Sequence, residues 1–196
     1  YAEWYFNSIN VKQGPTYEHH IKTYGKDFAY RDFLPMWKAE KWQPTEWANL
    51  FKRAGAKYVV LTTKHHDGFC LFPSRHTDYH CLNYGPKRDI MGELTEAVRA
   101  QGLKMGAYYS GVIDWTFSNM PIFTESQNMS NACPTYAYAD YAYNHYKELI
   151  DLYQPSVLWN DIGWPTQGEH MLPSLFAYYY NQVEEGVVDN RWNDLW

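Results

Sequence analysis

After Pro44 and Thr45, the apolar side chains Trp47, Leu50, Phe51 and Ala54 recur at i, i+3, i+4 and i+7 and are followed by Gly55. That spacing gathers one face of an α-helix and closes it at a residue suited to a helix stop. Directly behind it, Tyr58-Val59-Val60-Leu61-Thr62-Thr63 is a β-branched and apolar run without alternation, which predicts a strand buried on both faces of a parallel sheet. The unit then repeats. Asp89 stands as a helix cap before Met91, Leu94 and Val98, Gly102 ends that helix, and Leu103 to Ser110 reads as the next strand. Tyr138, Tyr141, Ala142, Leu149 and Leu152 mark a third helix, halted before Pro155 and followed by the strand Ser156-Val157-Leu158-Trp159-Asn160. After a loop from Gly163 to Gly168, Leu172, Leu175, Phe176 and Tyr179 predict a further helix, and Gly186-Val187-Val188-Asp189 begins a further strand.

Alternating helices and buried-type strands define a parallel α/β fold, either an open doubly wound sheet or a (β/α)8 barrel. Each predicted strand ends in a polar or aromatic cluster: Lys64-His65-His66-Asp67, then Tyr108-Tyr109-Ser110 with Asp114-Trp115, then Trp159-Asn160-Asp161. A barrel draws site residues from the carboxyl ends of several strands in turn, whereas an open sheet usually adds a glycine-rich phosphate loop at its switch point. No such loop motif occurs, so a (β/α)8-like TIM barrel is the predicted fold. A full barrel takes about 250 residues, so this chain is expected to hold four to six of the eight strands. Residues 1–196 read as one partial barrel domain, without a linker or second domain.

Composition narrows the function classes. Seventeen basic against 22 acidic side chains leave a net charge of −5, which provides no basic surface for phosphates and argues against nucleic-acid binding. A mean hydropathy of −0.61, with no run of about 18 apolar residues, argues against a membrane span. The three cysteines, Cys70, Cys81 and Cys133, form no CxxC pair, so reduced thiols in a reducing compartment are the default, with one bridge left open. A cytoplasmic location is slightly favoured on that ground; a secreted or lysosomal one stays open if a leader was removed. Tyr1 and Trp196 both read as cut ends. Aromatic residues make up 19% of the chain, and that many Trp and Tyr need partners for their N–H and O–H groups. They form a Tyr-rich core and rim, or they line a cleft that grips rings such as sugars.

Several side chains could carry chemistry. Adjacent His65 and His66 suggest a metal, yet neighbours in a strand face opposite ways and zinc ligands share a face. The plain alternative places one in the core and one in solvent; the functional one has both imidazoles donating to hydroxyls of a polyol, with Asp67 holding a tautomer. Asp161, at a strand terminus among aromatic residues, reads either as a turn or cap aspartate or as the nucleophile of retaining glycoside hydrolysis, where a second carboxyl group about 5–5.5 Å away protonates the leaving oxygen. Glu3, Asp67 and Asp114 are the candidates for that partner, and the sequence does not rank them. Arg191 is a surface cation or the fork that orients a carboxylate or a sugar hydroxyl. Asn128-Met129-Ser130 matches a glycosylation acceptor, a weak signal.

The blocks Ala2-Glu3-Trp4-Tyr5, Tyr58 to Phe69 with its His-His-Asp-Gly-Phe ending, Gly106-Ala107-Tyr108-Tyr109-Ser110 and Leu158-Trp159-Asn160-Asp161-Ile162-Gly163-Trp164-Pro165 resemble the α-L-fucosidases of glycoside hydrolase family 29, in order and over essentially the whole chain. The resemblance implies a barrel that removes terminal α-linked L-fucose from glycans with retention, using no metal or organic cofactor. It implies Asp161 as nucleophile, and Glu3, Trp4, His65, His66, Tyr108, Trp159 and Arg191 as fucose contacts. The histidines and Glu3 suit the sugar's hydroxyls; Trp4, Tyr108 and Trp159 suit its methyl and C–H face. Trp164 is counted with these strand-end aromatics.

The departures from the family pattern shape the expectation equally. The family's His-Trp-Gly block on its first strand is absent, and its acid/base glutamate is expected beyond Asn190-Arg191-Trp192, past the end of the chain. Glu3 is the fallback proton donor. Without first and closing strands the sheet is expected to show open edges and an exposed core. A fucose-binding remnant without catalysis is the alternative function.

Overall fold

A computed structural model describes residues 4–118, 121, 133 and 135–192. Four strands, β1 (Tyr58–Lys64), β2 (Lys104–Ser110), β3 (Val157–Asp161) and β4 (Val187–Val188), lie parallel and pair in chain order. Helices α1 (Tyr5–Ser8), α2 (Pro15–Tyr24) and α3 (Pro44–Arg53) precede the sheet, with a 3-10 segment at Tyr30–Met36. Helix α4 (Ile90–Ala100) joins β1 to β2, α5 (Tyr136–Tyr153) joins β2 to β3, and α6 (Leu172–Gln182), after a 3-10 turn at Thr166–Met171, joins β3 to β4.

The helix ends follow the capping logic of the sequence. Asp89 Oδ1 accepts from Gly92 N at 2.8 Å and starts α4, and Thr135 Oγ1 accepts from Tyr138 N at 3.3 Å and starts α5, each supplying a partner for an orphan helix amide. Helix α5 ends with Gln154 in left-handed backbone directly before Pro155, whose ring prevents continuation.

One face of the sheet is packed. Met105, Ala107 and Tyr109 of β2 and Leu158 of β3 meet Met91, Leu94 and Val98 of α4 and Tyr138, Ala142, Tyr146, Leu149 and Ile150 of α5, all buried. Three core tyrosines have paired hydroxyls: Tyr146 to Asn160 Oδ1 at 2.8 Å, Tyr179 to the Pro155 carbonyl at 2.8 Å, and Tyr109 with His145 Nδ1 at 2.9 Å. Burying a phenol in this way adds apolar area without orphaning its O–H. A second aromatic layer, absent from the sequence-based expectations, surrounds buried His20 with Tyr5, Tyr24, Phe28 and Phe33. Trp164 also belongs to the core and not to a sugar-facing surface. It is buried, donates Nε1–H to the Gly168 carbonyl at 2.9 Å and packs on Tyr146 and Trp192.

The other face is bare. Tyr58, Trp159 and Val187 are exposed there, around a groove of about 330 Å³ that Lys104 and Val157 also line. The strands therefore are not buried on both faces, because nothing among the described residues covers this side; in a closed barrel it would turn inward. Trp47 and Leu50, on the predicted apolar face of α3, are also exposed; Ala48 and Phe51 make that helix's core contacts. All three cysteines are free and buried, and no helix of the described residues is long and apolar enough to cross a membrane.

Candidate active site

The carboxyl ends of β1, β2 and β3 bring most of the candidate residues together. Asp161, the last residue of β3, has its Oδ1 clamped by Arg191, through Nη2 at 2.6 Å and Nε at 2.8 Å, and by its neighbour's amide, Ile162 N, at 3.0 Å. Its Oδ2 accepts from Tyr108 OH at 2.8 Å. A carboxylate offers about four lone-pair positions; among the described residues three donors crowd Oδ1, and Oδ2 has one. Tyr108 and Trp159 are register partners on neighbouring strands, so both side chains stand on the bare face beside the carboxylate.

The backbone around Asp161 is held from behind. Asn160 points to the packed face, where its Nδ2 donates to the carbonyls of Gly163 at 2.8 Å and Arg191 at 2.9 Å. One buried amide thereby ties the turn after the carboxylate to the segment that carries its cation. Ile162, at φ +63°, is a β-branched residue in left-handed backbone, a conformation that costs energy and persists only when surrounding contacts impose it. Gly111 passes close by: a Cβ there would lie 2.1 Å from the Gly163 carbonyl oxygen, so no other residue fits without moving the turn.

A one-residue slip in β1 sets up the histidines. Thr62 pairs with Tyr108, but Lys64 pairs with Tyr109, the signature of a bulge at Thr63 that re-aims the strand end. Lys64 consequently turns to the packed side, wholly buried, where Nζ donates to Asp114 Oδ2 at 2.9 Å and Tyr138 OH at 3.0 Å. The strand stops there, and residues 65–68 turn, with Gly68 N donating to the His65 carbonyl at 3.1 Å. Strand alternation therefore does not separate His65 from His66; their ring centroids are 3.8 Å apart. His65 stacks near Tyr108 at 5.9 Å, while Trp4 meets the His66 ring edge-on at 5.2 Å. His66 is 2% exposed, and burial, then the neighbouring His65 and Lys64, holds its pKa well below the usual histidine value. Among the described residues no three His, Cys, Asp or Glu side chains converge as metal ligands.

Two of the candidate proton donors are engaged elsewhere. Asp114 is fully buried against Lys64 and accepts from Thr116 N at 2.9 Å. Asp67 accepts from Tyr30 OH at 3.0 Å, and burial raises its pKa, so it holds the 3-10 segment and not a histidine tautomer. Glu3, like the acceptor pattern at Asn128, lies outside the described residues. Asn160, Ser110 and Trp115 stand within the strand-end clusters, but the sequence gives them no supporting role; that place was their only signal.

A parallel helix-strand sheet with a clamped carboxylate, paired histidines and aromatic rings at its carboxyl ends defines a (β/α)8 barrel catalytic domain, of which four strands are described here. A Thermotoga maritima α-fucosidase structure superposes with a TM-score of 0.96 at 54% identity, covering 100% of this chain and 46% of that one. A Bacteroides thetaiotaomicron α-L-fucosidase superposes with a TM-score of 0.63 at 30% identity, over 79% of this chain and 36% of that one. The α-L-fucosidase from Dictyostelium discoideum is 32% identical over 98% of this chain and 43% of its own length. The family model described as Alpha-L-fucosidase matches residues 1–195, and the chain belongs to that family. It spans less than half the length of these relatives.

Proposed function

We infer that the protein carrying this chain is an α-L-fucosidase that hydrolyses terminal α-L-fucose from glycans with retention, through a covalent intermediate on Asp161. The observation that carries this reading is the asymmetry of the Asp161 carboxylate, with Oδ1 filled by Arg191 and Ile162 N and Oδ2 met only by Tyr108 among the described residues. Oδ2 is then the attacking atom. It forms the bond to the anomeric carbon as the aglycone oxygen leaves with a proton from a general acid, and water cleaves the fucosyl ester in a second step. Arg191 and Tyr108 hold the carboxylate in line, and His65, His66, Trp4 and Trp159 meet the sugar. The general acid is Glu3 or a residue beyond the Asn190-Arg191-Trp192 block, and no cofactor takes part. The reading is supported by a Thermotoga maritima enzyme solved with fucose and with a mechanism-based inhibitor, and by the Bacteroides enzyme solved as a trapped covalent intermediate.

The test is Asp161→Gly in the intact protein. Turnover of 4-nitrophenyl α-L-fucoside should fall by about 10⁴-fold, and azide should restore it with β-fucosyl azide as product. Wild-type rates in the variant would overturn the assignment. Calorimetric binding of L-fucose by the intact wild-type protein without any hydrolysis would identify the non-catalytic form instead.

A further inference from the structure

A serine hydroxyl has one proton to give, and that of Ser110 has two neighbours. Its Oγ lies 2.8 Å from the Ile113 carbonyl oxygen and 2.6 Å from His66 Nδ1. The carbonyl can only accept, so the hydroxyl proton goes there; were it aimed at the ring instead, two lone pairs would face each other at 2.8 Å. A lone pair of the oxygen then faces Nδ1, which must carry a hydrogen. A neutral imidazole with its proton on Nδ1 presents a bare lone pair at Nε2.

We propose that Ser110 is a positioning residue for His66, fixing the Nδ1–H tautomer so that Nε2 acts as a hydrogen-bond acceptor for one hydroxyl of the bound sugar. This reverses the donor role suggested by sequence, and its last step rests on the fucosidase reading above. The rest of the surroundings agree. The His66 carbonyl accepts from Trp115 N at 2.7 Å, and the ring is flanked by Trp4 and by Trp115 at 5.5 Å, so packing holds the imidazole plane while the Ser110 contact sets which nitrogen faces it. Burial and the Lys64 cation behind it oppose a second proton. Ser110 is wholly buried and is the register partner of Asp161, and the next amide, Gly111 N, donates to the Asp161 carbonyl at 2.9 Å. The strand end that orients the histidine thus also holds the nucleophile's backbone. A site built to accept from a hydroxyl leaves its lone pair unpaired with a ligand that lacks the donor, and this disfavours such ligands.

Nitrogen-15 NMR of histidine-labelled, ligand-free protein at pH 7 tests the relay without substrate, with His66→Gln assigning the signal. The expected spectrum has a protonated, pyrrole-type Nδ1 and an unprotonated Nε2; an Nε2–H tautomer or an imidazolium overturns the proposal whatever the variants do. In Ser110→Ala the Nε2–H tautomer should become populated, and KM for 4-nitrophenyl α-L-fucoside should rise about ten-fold with a smaller change in kcat, the loss of one hydrogen bond. Ser110→Thr, which keeps the hydroxyl, should restore the wild-type tautomer. A folded Ser110→Ala with the wild-type spectrum and KM overturns the proposal. A fucoside with fluorine at the contacted hydroxyl should lose binding to the wild type and little to Ser110→Ala; equal losses overturn the acceptor role. If the wild type binds no fucoside at all, the fucosidase reading fails, and the spectrum alone still decides the relay.

Discussion

Asp114 follows β2 and Asp161 ends β3 of the same sheet, and each faces one cation, yet the two pairs are built for different ends. Asp114 and Lys64 are both 0% exposed, 2.9 Å apart, and the aspartate's second oxygen is taken by Thr116 N and Oγ1. Asp161 and Arg191 stay 19% and 33% exposed, and one carboxylate oxygen keeps room for another partner. A desolvated ion pair whose two carboxylate oxygens are both bonded inside the core makes the neighbouring loop rigid but is closed to any substrate. A pair at the rim of a cleft, fixed on one side only, holds a reactive atom in place without consuming it.

The largest effect expected from breaking this comparison is on rate. Asp161→Gly should cost about 10⁴-fold in turnover while moving the urea midpoint little, since it leaves behind a cation that still reaches water. Asp114→Ala should act the other way round. Stranding the Lys64 ammonium in the core should cost roughly 3–5 kcal/mol of stability, read from urea unfolding. The double replacement Lys64→Met with Asp114→Leu should recover most of that loss, because it is the uncompensated charge that is expensive. A recovery no better than the single variant would show that the pair, and not its desolvation, holds the loop. Next in size is Tyr108→Phe, which removes the only donor to Asp161 Oδ2 among the described residues. A hydrogen bond to a charged group contributes about 1.5–3 kcal/mol, so kcat/KM should drop by roughly ten- to a hundred-fold with stability nearly unchanged.

The same two pairs mark how far the sequence could be read. The helix-strand repeat is visible in apolar spacing because Met91, Leu94 and Val98, like Leu158, must face a core, and burial imposes period. Asp161 and His65 stand out because polar residues at strand ends interrupt that period. Lys64 was invisible: the alternation that would have pointed it to the bare face is reversed by a bulge at Thr63, which depends on pairing with β2 and on Asp114, fifty positions along the chain. Asp67 and Asp114 looked equivalent to any catalytic carboxylate for the same reason, since their long-range partners Tyr30 and Lys64 have no local signature. The aromatic excess misled in part. Trp164, Tyr109, Tyr138, Tyr146, Tyr153 and Tyr179 are core residues with paired polar tips, and rings such as Phe28 and Phe33 gather around His20 in a layer built from short helical segments that carry little periodicity.

The smallest effect separates the two regions by pH. His145 is wholly buried, and its pKa is held well below the usual value first by burial, then by Lys64, His76 and His80; His66 is depressed by burial, His65 and Lys64. Both stay neutral in the folded chain at a pH where the unfolded chain, with histidine near 6.5, takes up a proton. The unfolded state then binds more protons, so stability is full above about pH 6.5 and is lost as pH falls below it, by up to about 1.4 kcal/mol per pH unit for each group. Asp67, Asp89 and Asp189, whose burial raises their pKa, act with the opposite sign from the carboxylate side, because the folded state holds their protons longer. Urea midpoints at pH 7.5 and 5.5 should therefore fall with acidification in the wild type and fall less in His145→Phe. The difference between the two slopes isolates the charge placed beside the buried Lys64–Asp114 pair, and equal slopes would place the acid sensitivity elsewhere in the molecule.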